Sequence, residues 1–391
     1  MDRWSIALVV LGFGLAIALA GGVTVSSSPA TDRIHVADGP PSASTDEHLT
    51  PWAETAAPAD ATHLDPLDVQ REGQLQVHFI NVGQADATLV VTPSNTTVLI
   101  DTGHGRDDGE YVLQYLDAHG VERIDYLVAT HGHWDHIGGH PAVIETYERE
   151  RDGVGTLLDP GVPHTTRTYD DYLDAVEAHE LPLRVVRSGD DVAWDPALDV
   201  SLLNPPEEPQ SAELNDDSLV FHVEYADASV LLPGDAETVA EHRMVTRYGD
   251  ELEADLYKAG HHGSNTSSNS WFVDRVDPEI AVVSSAYASP FGHPTEEVLA
   301  TFARQEVATY WTAVHGSTVA VTNGTDWEIH TQAERTTDPR TVRAEAAVPV
   351  HPAAGVQQSQ PTRELPPPTV GDFADCVPSV RPGSAPVCAL P

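Results

Sequence analysis

Lysine is almost missing from this chain. Among 391 residues there is one, Lys258, and every other cation is an arginine. Lys and Arg together number 20 against 61 Asp and Glu, a net charge of −41 with His neutral. That balance excludes a basic nucleic-acid-binding module. Cysteine is nearly as scarce, with only Cys376 and Cys388, which excludes a disulfide-dense scaffold. One long apolar run, residues 6–23, stands alone and excludes a polytopic membrane protein. Aromatics reach only 6%, yet a 40% apolar fraction still suffices for an ordinary core.

Acid excess with arginine in place of lysine points to a surface built for very salty water. The screening length falls to about 3 Å at 1 M salt, so like charges there stop repelling one another. The competing reading is an acidic face that keeps the chain soluble or attracts cations. The acids lie in ordered and loop-like stretches alike, which favours the saline reading and makes the charge a statement about solvent rather than partner.

The run at 6–23 follows Arg3 and contains Ala18-Leu19-Ala20, a small-residue cleavage pattern. Residues 1–25 are therefore expected to be a signal peptide or a retained membrane anchor, and either places the remainder outside the cytoplasm. Residues 26–72 are rich in Ser, Pro, Ala, Thr and Asp and read as a linker. Residues 334–391 form a similar low-complexity tail with Pro366-Pro367-Pro368, where the two cysteines either close a small loop or stay free. Between them, 73–333 is expected to be one domain, because no linker-like gap divides it.

Within that domain strands and helices alternate. Period-2 patterns and short apolar runs predict strands over 76–80, 88–91, 97–100, 125–129, 198–204, 219–225, 229–232, 256–259, 280–284, 309–312, 317–322 and 327–330. Helices are predicted over 111–119, 141–150, 169–180, 237–248 and 295–306. This mixture predicts an α/β sandwich with its helices outside.

The chemistry is densest at Thr130-His131-Gly132-His133-Trp134-Asp135-His136-Ile137-Gly138-Gly139, where four potential metal ligands fall within six positions, 131–136. Imidazole and carboxylate together suit Zn²⁺ or a similar divalent ion. His131 and His133 can point at one ion from a single turn, while Asp135 and His136 can reach a second. Gly138 and Gly139 allow close backbone approach where the chain enters a helix. Isolated histidines are usually surface or packing residues, but three His and one Asp in this strand–loop–helix setting are poorly explained that way.

His131-x-His133-x-Asp135-His136 resembles the signature of the metallo-β-lactamase-fold hydrolases. Ile80-Asn81-Val82-Gly83-Gln84-Ala85-Asp86-Ala87 is similar to the opening motif of the extracellular metallohydrolase domain of ComEC/Rec2-type DNA-uptake proteins. Further pieces follow in the family's order: Asp101-Thr102-Gly103, Asn215-Asp216-Asp217-Ser218, Pro233-Gly234-Asp235-Ala236-Glu237, Gly260-His261-His262-Gly263-Ser264 and Gly292-His293-Pro294. The resemblance implies a metallo-β-lactamase-like αβ/βα sandwich of two mixed sheets with helices on the outside. It also implies two divalent metal ions, Zn by default with Mn as the alternative. The implied ligands are His131, His133, Asp135, His136, Asp235 and His261. Asp235 would bridge the ions, where a helix cap is its other reading. His261, which follows a strand, is favoured as the distal ligand and His262 would then stand behind the centre or act as acid–base, with the swapped assignment as the alternative. Asp135, His262 and His293 are the catalytic candidates; His293 either contacts an anionic group or is an exposed loop residue. Asp101 either accepts from a ligand or merely forms a turn. Many members carry another His before the bridging Asp. Here only His164 is available, without a motif, and the Asn-x-x-Ser segment stands in that region instead.

The function implied is an exported hydrolase of phosphodiester bonds, in which two ions sharing a water supply hydroxide near neutral pH. DNA is one candidate substrate, although the charge argues against a stable nucleic-acid complex in dilute salt. A small ester or phosphocholine-type esterase is the alternative enzyme, and a non-catalytic metal-binding surface module is the alternative outside enzymes. With a single apolar segment the chain is expected to be free-standing rather than part of a channel. No protein partner is inferred. Lys258, just before the distal His motif, is read either as a buried ion pair or substrate contact, or as a lone surface lysine.

Overall fold

The computed structural model describes residues 72–208 and 213–348. The apolar run, the linker up to residue 71, the proline tract and both cysteines lie outside the described residues. Among the described residues no helix is long and apolar enough to cross a membrane.

Fourteen strands form two sheets among the described residues. The first takes β1 (Leu75–Phe79), β2 (Thr88–Val91), β3 (Thr97–Ile100), β4 (Ile124–Val128), β5 (Val154–Asp159) and β6 (Leu183–Val185), with β13 (Thr318–Thr322) and β14 (Trp327–Thr331) returning beside β1. Its order is β14-β13-β1-β2-β3-β4-β5-β6. The second takes β7 (Asp199–Asn204), β8 (Val220–Tyr225), β9 (Ala228–Leu232), β10 (Leu256–Lys258), β11 (Ile280–Val283) and β12 (Ala308–Trp311), in the order β12-β11-β10-β9-β8-β7. Both sheets are mixed. β3 to β6 run parallel, as do β9 to β12, while the remaining pairs are antiparallel.

The period of two in each strand distributes side chains between two cores. Leu75, Val77 and Phe79 of β1 meet Phe221, Val223 and Val230 of the second sheet in the layer between the sheets. Leu89, Leu99 and Leu127 face outward under α1 (Glu110–Ala118), α3 (His140–Glu150) and α4 (Arg167–Ala178). On the far side, Leu231, Tyr257 and Val283 lie under α5 (Thr238–Tyr248), α6 (Ser270–Val276) and α7 (Glu296–Arg304). The architecture is the expected αβ/βα sandwich with helices outside. Chain after Ala333 continues to pack: Val342 is fully buried in the second outer core, and the Val348 amide donates to the Ala313 carbonyl at 2.7 Å.

This layering fixes where chemistry can sit. Parallel strands send their carboxyl ends to one edge, where the loops that follow are free to carry polar groups. Asp101 follows β3, His131 follows β4, Asp235 follows β9, and His261 and His262 follow β10. Residues about 160 positions apart in the chain are thereby brought to one edge of the sandwich.

Candidate metal centre

The loop after β4 enters a one-turn helix, α2 (Trp134–Ile137), which presents Asp135 and His136. It is held against the loop after β3 by two close backbone approaches. The Thr102 amide donates to the His136 carbonyl at 2.7 Å, and a Cβ at Gly138 would lie 2.1 Å from the Gly105 nitrogen. Only glycine fits there.

Asp101 is buried beneath the loop. Its carboxylate accepts from His136 Nδ1 at 2.7 Å, from the Thr130 amide at 2.9 Å and from Thr130 Oγ1 at 2.7 Å. With its own proton given to Asp101, Thr130 Oγ1 is left to accept from His131 Nδ1 at 3.1 Å. Both imidazoles are thus held with Nδ1 as the donor to their partners and Nε2 turned to the centre.

On the second sheet, Asp235 sits at the end of β9, its amide 3.3 Å from Ser218 Oγ. The motif after β10 turns sharply: His261 (φ 47°) and His262 (φ 56°) are both left-handed, as is Asp101 (φ 58°). Non-glycine residues in that region cost energy and persist where the surroundings impose them. Here Gly263 permits the turn, since a Cβ on it would stand 2.7 Å from Pro294 Cβ. His262 Nδ1 donates to the Ser284 carbonyl at 3.0 Å, which again turns Nε2 inward. His261 Nδ1 donates to Glu237 Oε1 at 2.8 Å, and Glu237 is held in turn by Asn215 Nδ2 and Thr266 Oγ1.

Asp235 Oδ2 is the point of convergence. It lies 3.1 Å from His136 Nε2, 3.7 Å from both His261 and His262 Nε2, and 3.9 Å from His131 Nε2. His133 Nδ1 is 2.9 Å from His131 Nε2, and Asp135 Oδ2 is 3.4 Å from His262 Nε2. Two donors about 2.0–2.2 Å from one tetrahedral ion stand roughly 3.3 Å apart, so these spacings fit metal ligation. Two candidate sites result: His131, His136 and Asp235 form one set of converging donors, and Asp135, His136 and His262 the other. The donor atoms also have nowhere else to go. His136 Nε2, His262 Nε2 and Asp235 Oδ1 are buried without hydrogen-bond partners, a costly arrangement that a bound ion would relieve.

Electrostatics agree. Burial pushes the Asp235 carboxyl up, but His136, His262 and His261 outweigh it and hold the group well below the carboxylate range. Burial likewise opposes ionisation of Asp135, and His262 and His136 again prevail to lower it. Both carboxylates are therefore anionic; burial opposes a charge on His136, but Asp235 and Asp101 outweigh it and hold that imidazole well above its usual range, so a bound ion would displace its Nε2 proton.

Every site residue expected from the sequence reaches this edge. His261 is the outermost of the adjacent pair, with its ring on Glu237, while His262 is buried. His293 is buried, not an exposed loop histidine, with ring centroids 5.7 Å from His261 and 6.5 Å from His262 and an Nδ1 without a partner. His164 lies beside His133, with ring centroids 5.7 Å apart, and its Nδ1 contacts the Gly132 carbonyl. Lys258 is 3% exposed and pairs with Asp86, so the buried ion pair is the correct reading of that residue. Two supporting residues were given no role in the sequence. Glu237 carries His261, and its signal was its place two residues after Asp235. Glu241 of α5 accepts from the Ser268 amide at 2.6 Å and from Asn269 Nδ2 at 2.7 Å, pinning the segment behind the two histidines; nothing in its spacing marked it.

Residues 80–287 match the family model of the metallo-beta-lactamase superfamily. The chain belongs to that superfamily. Competence protein ComA of Neisseria gonorrhoeae is 32% identical over 250 residues, which are 64% of this chain and 32% of the relative. ComE operon protein 3 of Bacillus subtilis is 29% identical over 258 residues, 62% of this chain and 32% of the relative. Recombination protein 2 of Haemophilus influenzae is 29% identical over 245 residues, 62% of this chain and 28% of the relative. The chain thus spans about a third of the length of these curated relatives. Superfamily membership and the two converging donor sets make this a metal-dependent hydrolase with a candidate dinuclear centre.

Proposed function

We propose that the chain is an exported phosphodiesterase that hydrolyses nucleic acid at a dinuclear centre. The observation that carries this reading is the convergence on Asp235 Oδ2 of inward-facing Nε2 atoms from both sheets. Similarity to competence and recombination proteins supports a nucleic-acid substrate, and the apolar run at 6–23 supports export.

In this reading His131, His133 and Asp235 would hold one ion, and Asp135, His136 and His262 the other, His136 being the residue common to both sets of converging donors. His262 would take the distal ligand position in place of His261, the residue expected from the sequence, because its Nε2 is buried and unpartnered, whereas His261 keeps Glu237 and borders Asp235. Divalent ions bound there, Zn²⁺ by donor chemistry, supply Lewis acidity and lower the pKa of a water, which is what cleavage of a phosphate ester requires. The chain's own residues do the rest. Asp101 and the Ser284 carbonyl hold the ligand rings in one tautomer. His293, beside His261 and with an unpartnered Nδ1, would offer a ring N–H to a phosphoryl oxygen. The oxygen of a water would form the new bond to phosphorus as the ester P–O bond breaks, and the proton that water loses balances the one the leaving oxygen takes, giving a phosphate monoester and an alcohol.

The test is direct. Protein purified in molar KCl is assayed for metal by elemental analysis, then offered bis-p-nitrophenyl phosphate, linear DNA and a chromogenic carboxylic ester. We expect close to two ions per chain and turnover of both phosphodiesters, lost to background in Asp135→Ala. Turnover of the carboxylic ester alone would favour the esterase reading, and bound metal without turnover of any substrate would favour a binding module.

A further inference from the structure

Six large apolar side chains are exposed among the described residues, and three are aromatic: Trp134 at 39%, Tyr287 at 44% and Phe291 at 63%. Trp134 and Phe291 sit beside site residues. Trp134 directly precedes Asp135 in α2. Its ring is flanked by His104, with centroids 5.8 Å apart, and by the Arg106 guanidinium, 5.1 Å from the ring centre. Phe291 stands two residues before His293, with ring centroids 5.8 Å apart. Tyr287 belongs to the same loop and stacks on buried Trp311 at 5.5 Å.

These rings are held out by fixed backbone. The loop around Phe291 is tied down by the Thr295 amide on the Gly263 carbonyl at 2.8 Å, by the Ala286 amide on Gln84 Oε1 at 3.3 Å and by Arg343 Nη2 on the Gly292 carbonyl at 3.1 Å. Exposed aromatic rings beside the residues of the centre offer flat, apolar faces with their own π-systems to whatever enters it. The occupant must also tolerate a chain of net charge −41, which repels a polyanion and offers few cations for its phosphates. Base stacking needs no net charge and accepts any sequence, because every base has a π-face. In a duplex those faces are already covered by neighbouring base pairs.

Resting on the phosphodiesterase reading, we infer that Trp134 and Phe291 are stacking platforms for unpaired nucleobases flanking the centre. They make single-stranded nucleic acid, not duplex, the substrate that is held. Arg106 backs the Trp134 ring and gives that platform its only adjacent cation among the described residues.

The test separates this from the reading it rests on. Full-length chain is stripped of metal with EDTA and titrated in 1 M KCl with fluorescently labelled 12-nucleotide strands, read by anisotropy, so that binding is measured without cleavage. Oligothymidylate and oligoadenylate are compared with an abasic strand of equal charge and a blunt hairpin duplex. We expect the abasic strand and the duplex to bind at least ten-fold more weakly. Trp134→Ala and Phe291→Ala should each cost roughly ten-fold, the lower part of the range for loss of one stacked base, and Trp134→Phe should restore most of it. An RNA strand binding as tightly as DNA would support recognition of base faces without the sugar. Abasic or duplex ligands binding as well as oligothymidylate, or alanine variants binding like the parent, would overturn the proposal. The abasic comparison needs no substitution, so it stands even where a variant fails to fold. Hydrolysis of bis-p-nitrophenyl phosphate by the metal-loaded parent is measured apart. Its absence removes the phosphodiesterase reading and leaves the binding result to be judged on its own terms.

Discussion

The Asp101 carboxylate receives three hydrogen bonds, and through them it sets two imidazole tautomers on the first sheet. Its backbone, left-handed at φ 58°, shows that the loop is bent to bring it there. Asp101→Asn would place an amide NH₂ against donors at one of its two oxygens and free His136 to adopt the wrong tautomer. The expected result is metal affinity weaker by roughly 10–100-fold, the usual cost of losing such a partner, with the fold retained. Chelator competition monitored by a metal-sensitive dye would measure it, and unchanged affinity would remove Asp101 from the centre. His140, one helical turn beyond His136, shows the same neighbourhood from the side of stability. Burial lowers its pKa to about 4, with Asp101 pulling the other way and His136 adding to the depression; its Nδ1 meets Thr102 Oγ1 at 2.8 Å and its ring abuts Tyr172. An unfolded histidine titrates near 6.5, so below that pH the unfolded chain binds more protons than the folded one. Stability should therefore fall as pH drops from about 6.5 towards 4. Urea unfolding of the metal-free protein at pH 7.5 and pH 5 should show the loss, and His140→Gln should show a smaller pH dependence. The adjacent histidines mark how far sequence reading reaches at this scale. Which of His261 and His262 faces inward depends on two consecutive left-handed residues, a conformation with no periodic signature, so the sequence favours His261 as the distal ligand while the converging donors include His262 instead.

Most elements were legible because their periodicity agrees with their burial. β2 and β3 fall at their expected bounds, and α5 and β9 within one residue. Three that escaped have physical reasons. β5 carries Gly155 in its first half and leaves only a short apolar run before Pro160. β6 is a three-residue edge strand after Pro182 whose Arg184 and Val185 are exposed. α6 is seven residues long in a Ser- and Asn-rich stretch, and its burial of Phe272, Val273 and Val276 comes from the fold, not from a long amphipathic pattern. The pairing of β10 with the loop after β1 was not legible at all. Lys258 closes β10, and Asp86 sits in that loop, where its amide donates to the Asp135 carbonyl at 3.0 Å and its carbonyl accepts from the Gly103 amide at 2.7 Å. The ion pair therefore joins the strand leading to His262 with the loop supporting Asp135, across the two sheets. Lys258→Met leaves a buried carboxylate uncompensated and should destabilise by about 3–5 kcal/mol, whereas Lys258→Met with Asp86→Leu should lose much less than the two single variants summed. Denaturant titration in molar salt gives both numbers. Additive losses would mean that the pair does not act as a unit.

Across the whole molecule the same lysine bears on the charge. The one lysine is buried and neutralised, so it tells nothing of the surface, where the basic groups are all arginines and acids crowd the exposed faces. On α4, for example, Asp170, Asp171, Asp174 and Glu177 are all exposed. At 0.1 M salt the screening length is about 10 Å, longer than the spacing between successive acids on such a helix, and at 1 M it is about 3 Å, shorter than that spacing. Self-repulsion of a −41 chain should therefore weigh against the folded state in dilute salt and fade in concentrated salt. In a domain of this size 1 kcal/mol moves the melting temperature by roughly 2–4 °C, so relief of a few kcal/mol should raise it by about 10 °C between 0.1 and 2 M KCl. Sucrose strengthens burial without screening charge, and at matched osmolality it should give a smaller rise. Equal melting temperatures at 0.1 and 2 M KCl would show that the acidic surface is neutral to solvent. The charge would then have to be explained by a cationic partner instead.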